Sequence, residues 1–280
     1  MEPLSTGKAL RETNQMRFVS LCLCVIAAGS MAFADTAAGL AAFRNHDYAT
    51  AYREWKRAAD GGDAVAQLNL GIMYAKGLGV DRDLATAMEL YRLSAAQGNA
   101  KAQFRLGEMY ARGWGVSRDY VEAAQLYASA ADRGDDRAQY GIASLYEEGY
   151  GVQKDYKTAA YFYKLAAQHG FAPAQFSYAQ LAETGHGVKR NRADAFRWYE
   201  AAAKQGFAPA QARLGAMYAK GQGVKADPEQ AYLWSSLAAR QSEKDAQKRL
   251  PELASHLSAD QLQNAQHSAR EWKPVLAAVK

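Results

Sequence analysis

The 280-residue chain carries 34 lysines and arginines against 29 acidic residues, a formal charge of +5, and 49% of its residues are hydrophobic. That hydrophobic share excludes a disordered chain. The basic excess is mild and spread out, without the long lysine or arginine runs of a nucleic-acid binder.

In chain order, an apolar run over residues 18–28 follows Arg17 and ends at Gly29-Ser30-Met31-Ala32-Phe33-Ala34. A basic start, an apolar h-region and a small-x-small site predict an export signal over residues 1–34, cut after Ala34. Met16 would make a conventional start, leaving residues 16–34 as the signal proper. The run is too short and too weakly flanked for a stable membrane span. Both cysteines, Cys22 and Cys24, fall inside it. The mature chain would keep 31 basic and 27 acidic side chains and no thiol, which excludes disulfides, thiolate metal sites and cysteine catalysis. A thiol-free chain suits an oxidising compartment, so a periplasmic or secreted location is expected.

Residues 47–62 repeat the pattern of residues 83–98, so an isolated second helix opens the array, with a short segment containing Leu40 and Phe43 as its partner. Five units of 36 residues follow. An Ala-Gln pair recurs at Ala66-Gln67, Ala102-Gln103, Ala138-Gln139, Ala174-Gln175 and Ala210-Gln211, and a G-x-G-V turn follows each. A fixed period of this length marks stacked repeats and not one globular core. In the first unit, helical spacing predicts a helix over residues 64–76, broken by Gly77-Leu78-Gly79-Val80, where a glycine can take the left-handed conformation that ends a helix. Asp83 stands where an N-cap belongs, and the second helix runs to about Gln97 before Gly98. Tyr91, Tyr127, Tyr163 and Tyr199 recur in the second helices, with Trp55 upstream and Ser235 downstream. These rings read as seam residues whose hydroxyls reach the edge.

After Val224 the pattern changes. Pro228 opens a helix to about Arg240, and Gln241 is read as replacing the helix-ending glycine, so that the repeat rule lapses there. A segment over 243–253 follows. Ser258 and Gln261 then form a capping box for a helix reaching Trp272, before Pro274. The expected organisation is a repeat solenoid over residues 35–228 and a C-terminal cap over residues 229–280 that covers the last apolar face.

The A-Q-x-x-L-G-x-M-Y pattern at residues 66–74, 102–110 and 210–218, followed by G-x-G-V and A-x-x-x-Y-x-x-A-A-x-x-G, resembles the Sel1-like repeat family, a tetratricopeptide-like class with longer units. The resemblance covers roughly residues 40–240. It implies an all-α, right-handed α/α solenoid of helical hairpins. The ending Leu-Ser-Ala-Asp-Gln-Leu and Ala-Arg-Glu-Trp (residues 257–262 and 269–272) is similar to exported bacterial members. Such proteins act as adaptors in envelope signalling, polysaccharide regulation, secretion or host contact. Some periplasmic members restrain a membrane sensor kinase that controls exopolysaccharide and motility.

Chemistry finds little support in the residues. None of the five histidines stands four residues from another, and no H-E-x-x-H occurs. The glycine turns lack the lysine and preceding strand of a phosphate loop. Glu147-Glu148 reads as a solvated acidic face. No converging set for acyl transfer or glycosidic cleavage is found. The expectation is a protein with no catalytic, metal or cofactor residues. Recognition is expected where the units vary: Asn69, Arg105, Ser177, Arg213, Glu108 and Gln180 on the first helices, and Trp114 and Tyr150 at turn tips. Buried aromatics and arginines dominate interface energies. Arg105, Glu108, Trp114, Tyr150 and Arg213 are therefore the candidate partner-binding residues. Two functional readings stand: an exported scaffold that binds partner proteins, and a noncatalytic carbohydrate- or peptidoglycan-associated envelope factor.

Overall fold

The computed structural model describes residues 36–275, and the expected export signal with both cysteines lies outside the described residues. Among the described residues all regular structure is helical. The chain divides into two compact units, one closing at Ser117 and the other opening at Arg118. The first unit holds α1 (36–44), α2 (Tyr48–Asp60), α3 (Ala64–Lys76), α4 (Leu84–Ala96) and α5 (Ala100–Arg112). The second holds α6 (Tyr120–Asp132), α7 (Asp136–Glu148), α8 (Tyr156–Gln168), α9 (Ala172–Thr184), α10 (Arg192–Lys204), α11 (Ala208–Lys220), α12 (Pro228–Arg240), α13 (Lys244–Ser255) and α14 (Ala259–Glu271). Within each unit, helices pack on their neighbours in chain order, except that α14 returns to pack on α12.

Helix starts follow from side-chain oxygens that satisfy the free N–H groups of the first turn. Asp83 accepts from the backbone N–H of Ala85 and Thr86, and Asp47, Asp119, Asp155, Asn191 and Asp227 cap their helices in the same way. The Thr86 hydroxyl, together with these N–H bonds, holds the Asp83 carboxyl below the usual carboxylate range. α9 and α11 have Phe171 and Phe207 at the cap position and carry Pro173 and Pro209 in the first turn, so fixed backbone geometry replaces the hydrogen bond.

The first helices stop on left-handed glycines. At Gly113 (φ 69°), the N–H groups of Gly113 and Trp114 both close on the Met109 carbonyl. The second glycine of the same turn has a separate task. At Gly115 (φ 72°) a Cβ would come within 2.8 Å of the Leu84 Cβ, so the turn lies flush against the start of the second helix of the preceding repeat. Glycine is needed there for space as well as for backbone angle.

Buried alanines let the helices approach closely, and one large ring fills each seam. Trp55, Tyr91, Tyr127, Tyr163 and Tyr199 are all buried. Trp55 packs against Phe43 of α1, so the segment expected to partner the opening helix is itself a helix.

The recurring glutamine couples each hairpin to its neighbours. Its Nε2 donates back to a carbonyl at the end of the preceding helix: Gln67 to Ala59 at 3.3 Å, Gln175 to Ala167 at 3.2 Å, Gln211 to Ala203 at 3.2 Å. Its Oε1 accepts from a second glutamine thirty residues on: Gln97 for Gln67 (2.8 Å), Gln205 for Gln175 (2.8 Å) and Gln241 for Gln211 (2.9 Å). For Gln139 the residue thirty positions on is His169, whose ring turns to Asp136 instead, at 2.5 Å. The buried Oε1 of Gln139 has no hydrogen-bond partner among the described residues.

This ladder corrects one expectation. Gln241 does not replace a glycine; it is the counterpart of Gln97 and Gln205, and it bonds Gln211 as they bond theirs. The glycine position is Ser242, which adopts φ 69° without being glycine. The repeat rule therefore runs through residue 241.

The C-terminal helices close the second unit. Trp272 meets Trp234 edge to face at 6.2 Å, Arg240 donates to the Ala269 carbonyl at 2.7 Å, and the Val275 N–H bonds the Lys204 carbonyl at 2.8 Å. Ser258 and Gln261 make both bonds of the capping box.

Candidate partner-binding site

The seam tyrosine meets a different set of neighbours from repeat to repeat. Sixteen residues before it, at the end of a first helix, stands Ala75 for Tyr91, Glu147 for Tyr163 and Glu183 for Tyr199. Fourteen residues after it, on the next first helix, stands Arg105, Ser177 or Arg213 respectively. Three different outcomes follow from these three combinations.

In the first unit, Ala75 leaves room. A cavity of about 330 Å³ opens there, with Tyr91 and Ala75 at its base, Ile72, Leu84 and Met109 as apolar wall, and Trp114 at its rim. Arg105 and Glu108 face into it as an ion pair at 2.7 Å, and the Arg112 guanidinium is 3.9 Å from the same Glu108 carboxylate. Arg82 and Lys76 add positive charge to the lining, so cations outnumber the single acid. Burial pushes the Tyr91 hydroxyl up to about 12, with Arg105 opposing and Glu108 adding to the shift. The ring therefore stays neutral and can act as a hydrogen-bonding wall at ordinary pH.

Three of the five candidate residues, Arg105, Glu108 and Trp114, thus line one cavity. Trp114 is 45% exposed, and Arg112 lies over one face at 4.7 Å. The other two candidates belong to the second unit. Tyr150 is half exposed but stacks on Tyr120 at 4.9 Å. Arg213 is engaged within the protein: its Nε donates to Glu183 Oε2 at 2.9 Å, and its Nη2 bonds Glu183 Oε1. Tyr199 donates to the same Oε2 at 3.0 Å, closing the site that is open at Ala75.

The reading of Glu147-Glu148 as a solvated acidic face needs correction. Glu148 is exposed, but Glu147 is half-buried and accepts from the Tyr163 hydroxyl at 2.7 Å. A single sequence gave no sign of this, because the tyrosine lies in the next helix. The histidines lie at edges: His169 at the α8 C-cap against Asp136, and His186 stacked on Tyr156 at 4.8 Å. Among the described residues no three His, Cys, Asp or Glu side chains come together as a metal site. Nor is any described helix long and apolar enough to cross a membrane.

The Sel1 repeat model matches residues 64–99, 100–135, 136–171, 172–207 and 208–243. The chain belongs to the Sel1 repeat family. Among solved structures, it is similar to a Sel1 repeat protein from Oxalobacter formigenes, 30% identical over 87% of this chain and 98% of that one, with a TM-score of 0.70. It is also similar to a protective antigen of uropathogenic Escherichia coli strains, 28% identical, TM-score 0.55, over 79% of this chain but only 56% of the antigen. An immunity protein from Pseudomonas aeruginosa shares the fold alone, at 18% identity and TM-score 0.50. Comparison with curated proteins returns no match. Membership makes this Sel1 repeat protein a repeat scaffold, a family without a typical catalytic role.

Proposed function

We propose that this Sel1 repeat protein is an exported adaptor of the bacterial envelope that binds partner proteins and carries no catalysis of its own. The observation that supports the reading is the cavity beside Ala75, where Arg105, Glu108 and Trp114 meet a buried, neutral tyrosine. A partner segment presenting an apolar side chain beside a carboxylate suits it. The apolar group would fill the space between Met109, Leu84 and Trp114, and the carboxylate would compete with Glu108 for Arg105. Envelope signalling or exopolysaccharide regulation, which the sequence resemblance implies, is the setting in which we place such an adaptor. A carbohydrate platform draws less support, because Trp114 and Tyr150 each already have one face covered.

Two measurements test the proposal. Protein recovered from cells should begin at Asp35 and fractionate with the periplasm or medium. Partners captured from envelope extracts are then titrated against the purified chain and against Trp114→Ala and Arg105→Ala. A direct partner should lose at least ten-fold in affinity, about 1.4 kcal/mol or more, with the helical content unchanged. Affinities within a factor of two of the parent would refute the site.

A further inference from the structure

The second unit contains a half-built ion pair that the chain itself shows how to complete. At Glu183, Tyr199 donates to one carboxylate oxygen, and Arg213 reaches both oxygens through Nε and Nη2. One repeat earlier, the first half is in place. Tyr163, itself buried, donates to Glu147 Oε2 at 2.7 Å. The residue in register with Arg213 is Ser177, whose side chain is too short to reach across two first helices. Lys154, whose ammonium is held over the Tyr156 ring at 4.9 Å, feels both Glu148 and Glu147.

A carboxylate fixed by a buried hydroxyl and half removed from water gains from a well-placed cation. The template in the next repeat is bidentate, which a planar guanidinium matches and a point-charge ammonium does not. We propose that Glu147 and Tyr163 receive an arginine side chain presented by a partner protein, its guanidinium taking the place that Arg213 fills against Glu183 and Tyr199. This site is independent of the cavity beside Ala75 and stands or falls without it. It also assigns the partner a basic feature there, where the first-unit cavity suits an acidic one.

The test is an NMR titration of the 15N-labelled chain with the peptide acetyl-Gly-Arg-Gly-amide. Saturable shifts at Glu147 and Ser177 are expected, with a dissociation constant in the millimolar range for so small a probe. The lysine counterpart should bind at least three-fold more weakly. Glu147→Gln removes the charge, and Ser177→Arg supplies the guanidinium from within; each should weaken the peptide at least five-fold. Circular dichroism establishes that each variant is folded, and either variant alone suffices to decide. No saturable shift, equal binding of the lysine peptide, or unchanged affinity in a folded variant overturns the proposal.

Discussion

Replacing His169 with glutamine should make the protein more stable. In three places the buried ladder glutamine has both ends satisfied, with Gln97, Gln205 or Gln241 as donor to its oxygen. Gln139 has only the long bond to Ala131 at 3.4 Å, and its Oε1 is buried without a partner. An unsatisfied buried acceptor costs about 1–3 kcal/mol, and a made hydrogen bond returns about 1. His169→Gln places the missing amide where the other three stand. It forfeits the His169–Asp136 contact, but that pair is largely exposed, and exposed pairs contribute about 0.2–1 kcal/mol. The net expectation is a gain of about 1 kcal/mol, or roughly 2–4 °C in the thermal midpoint. Urea denaturation followed by circular dichroism reads it directly as a higher midpoint at constant slope. The reciprocal change, Gln205→Ala, strands the Gln175 oxygen and should cost about 1–2 kcal/mol. A midpoint for His169→Gln equal to or below the parent would show that the ladder does not couple the hairpins as argued.

Two further outcomes follow from the backbone and the buried rings. Ser242→Gly relieves a left-handed backbone at a non-glycine residue, and should raise stability by about 0.5–1 kcal/mol after the entropy of the extra glycine is subtracted; thermal melts of the two proteins decide it. Tyr91 is neutral in the folded state up to about 12, above the usual tyrosine value near 10. A raised folded pKa gives stability that is full below pH 10 and lost as pH rises through 12. Alkaline titration of tyrosinate absorbance should therefore show less late-titrating signal in Tyr91→Phe than in the parent, and identical curves would refute the burial argument.

Much of the fold was legible because its signals are local. The stop at Gly77, the cap at Asp83, the start at Pro228 and the capping box at Ser258 each depend on neighbours within a turn, and each is found where read. The candidate site was legible only in part. Arg105, Glu108 and Trp114 could be singled out as variable, yet their convergence depends on Ala75 being small, thirty residues earlier. The same distance hid the engagement of Arg213 by Glu183, and a separation of sixteen residues hid the tyrosine contact of Glu147. Mistaking Gln241 for a misplaced glycine arose likewise, since its role is set by Gln211 and not by its own helix end.

Each completed glutamine rung spans thirty residues inside one thirty-six-residue repeat, as from Gln175 to Gln205 and from Gln211 to Gln241, while the same glutamine's Nε2 reaches back to the preceding repeat. A gene that gains or loses one whole unit in phase rejoins intact rungs on either side of the junction. An insertion of any other length inside a helix would separate donor from acceptor. Arrays of this kind can change length by duplication without new packing having to be invented, whereas recognition can diverge at the seam positions alone.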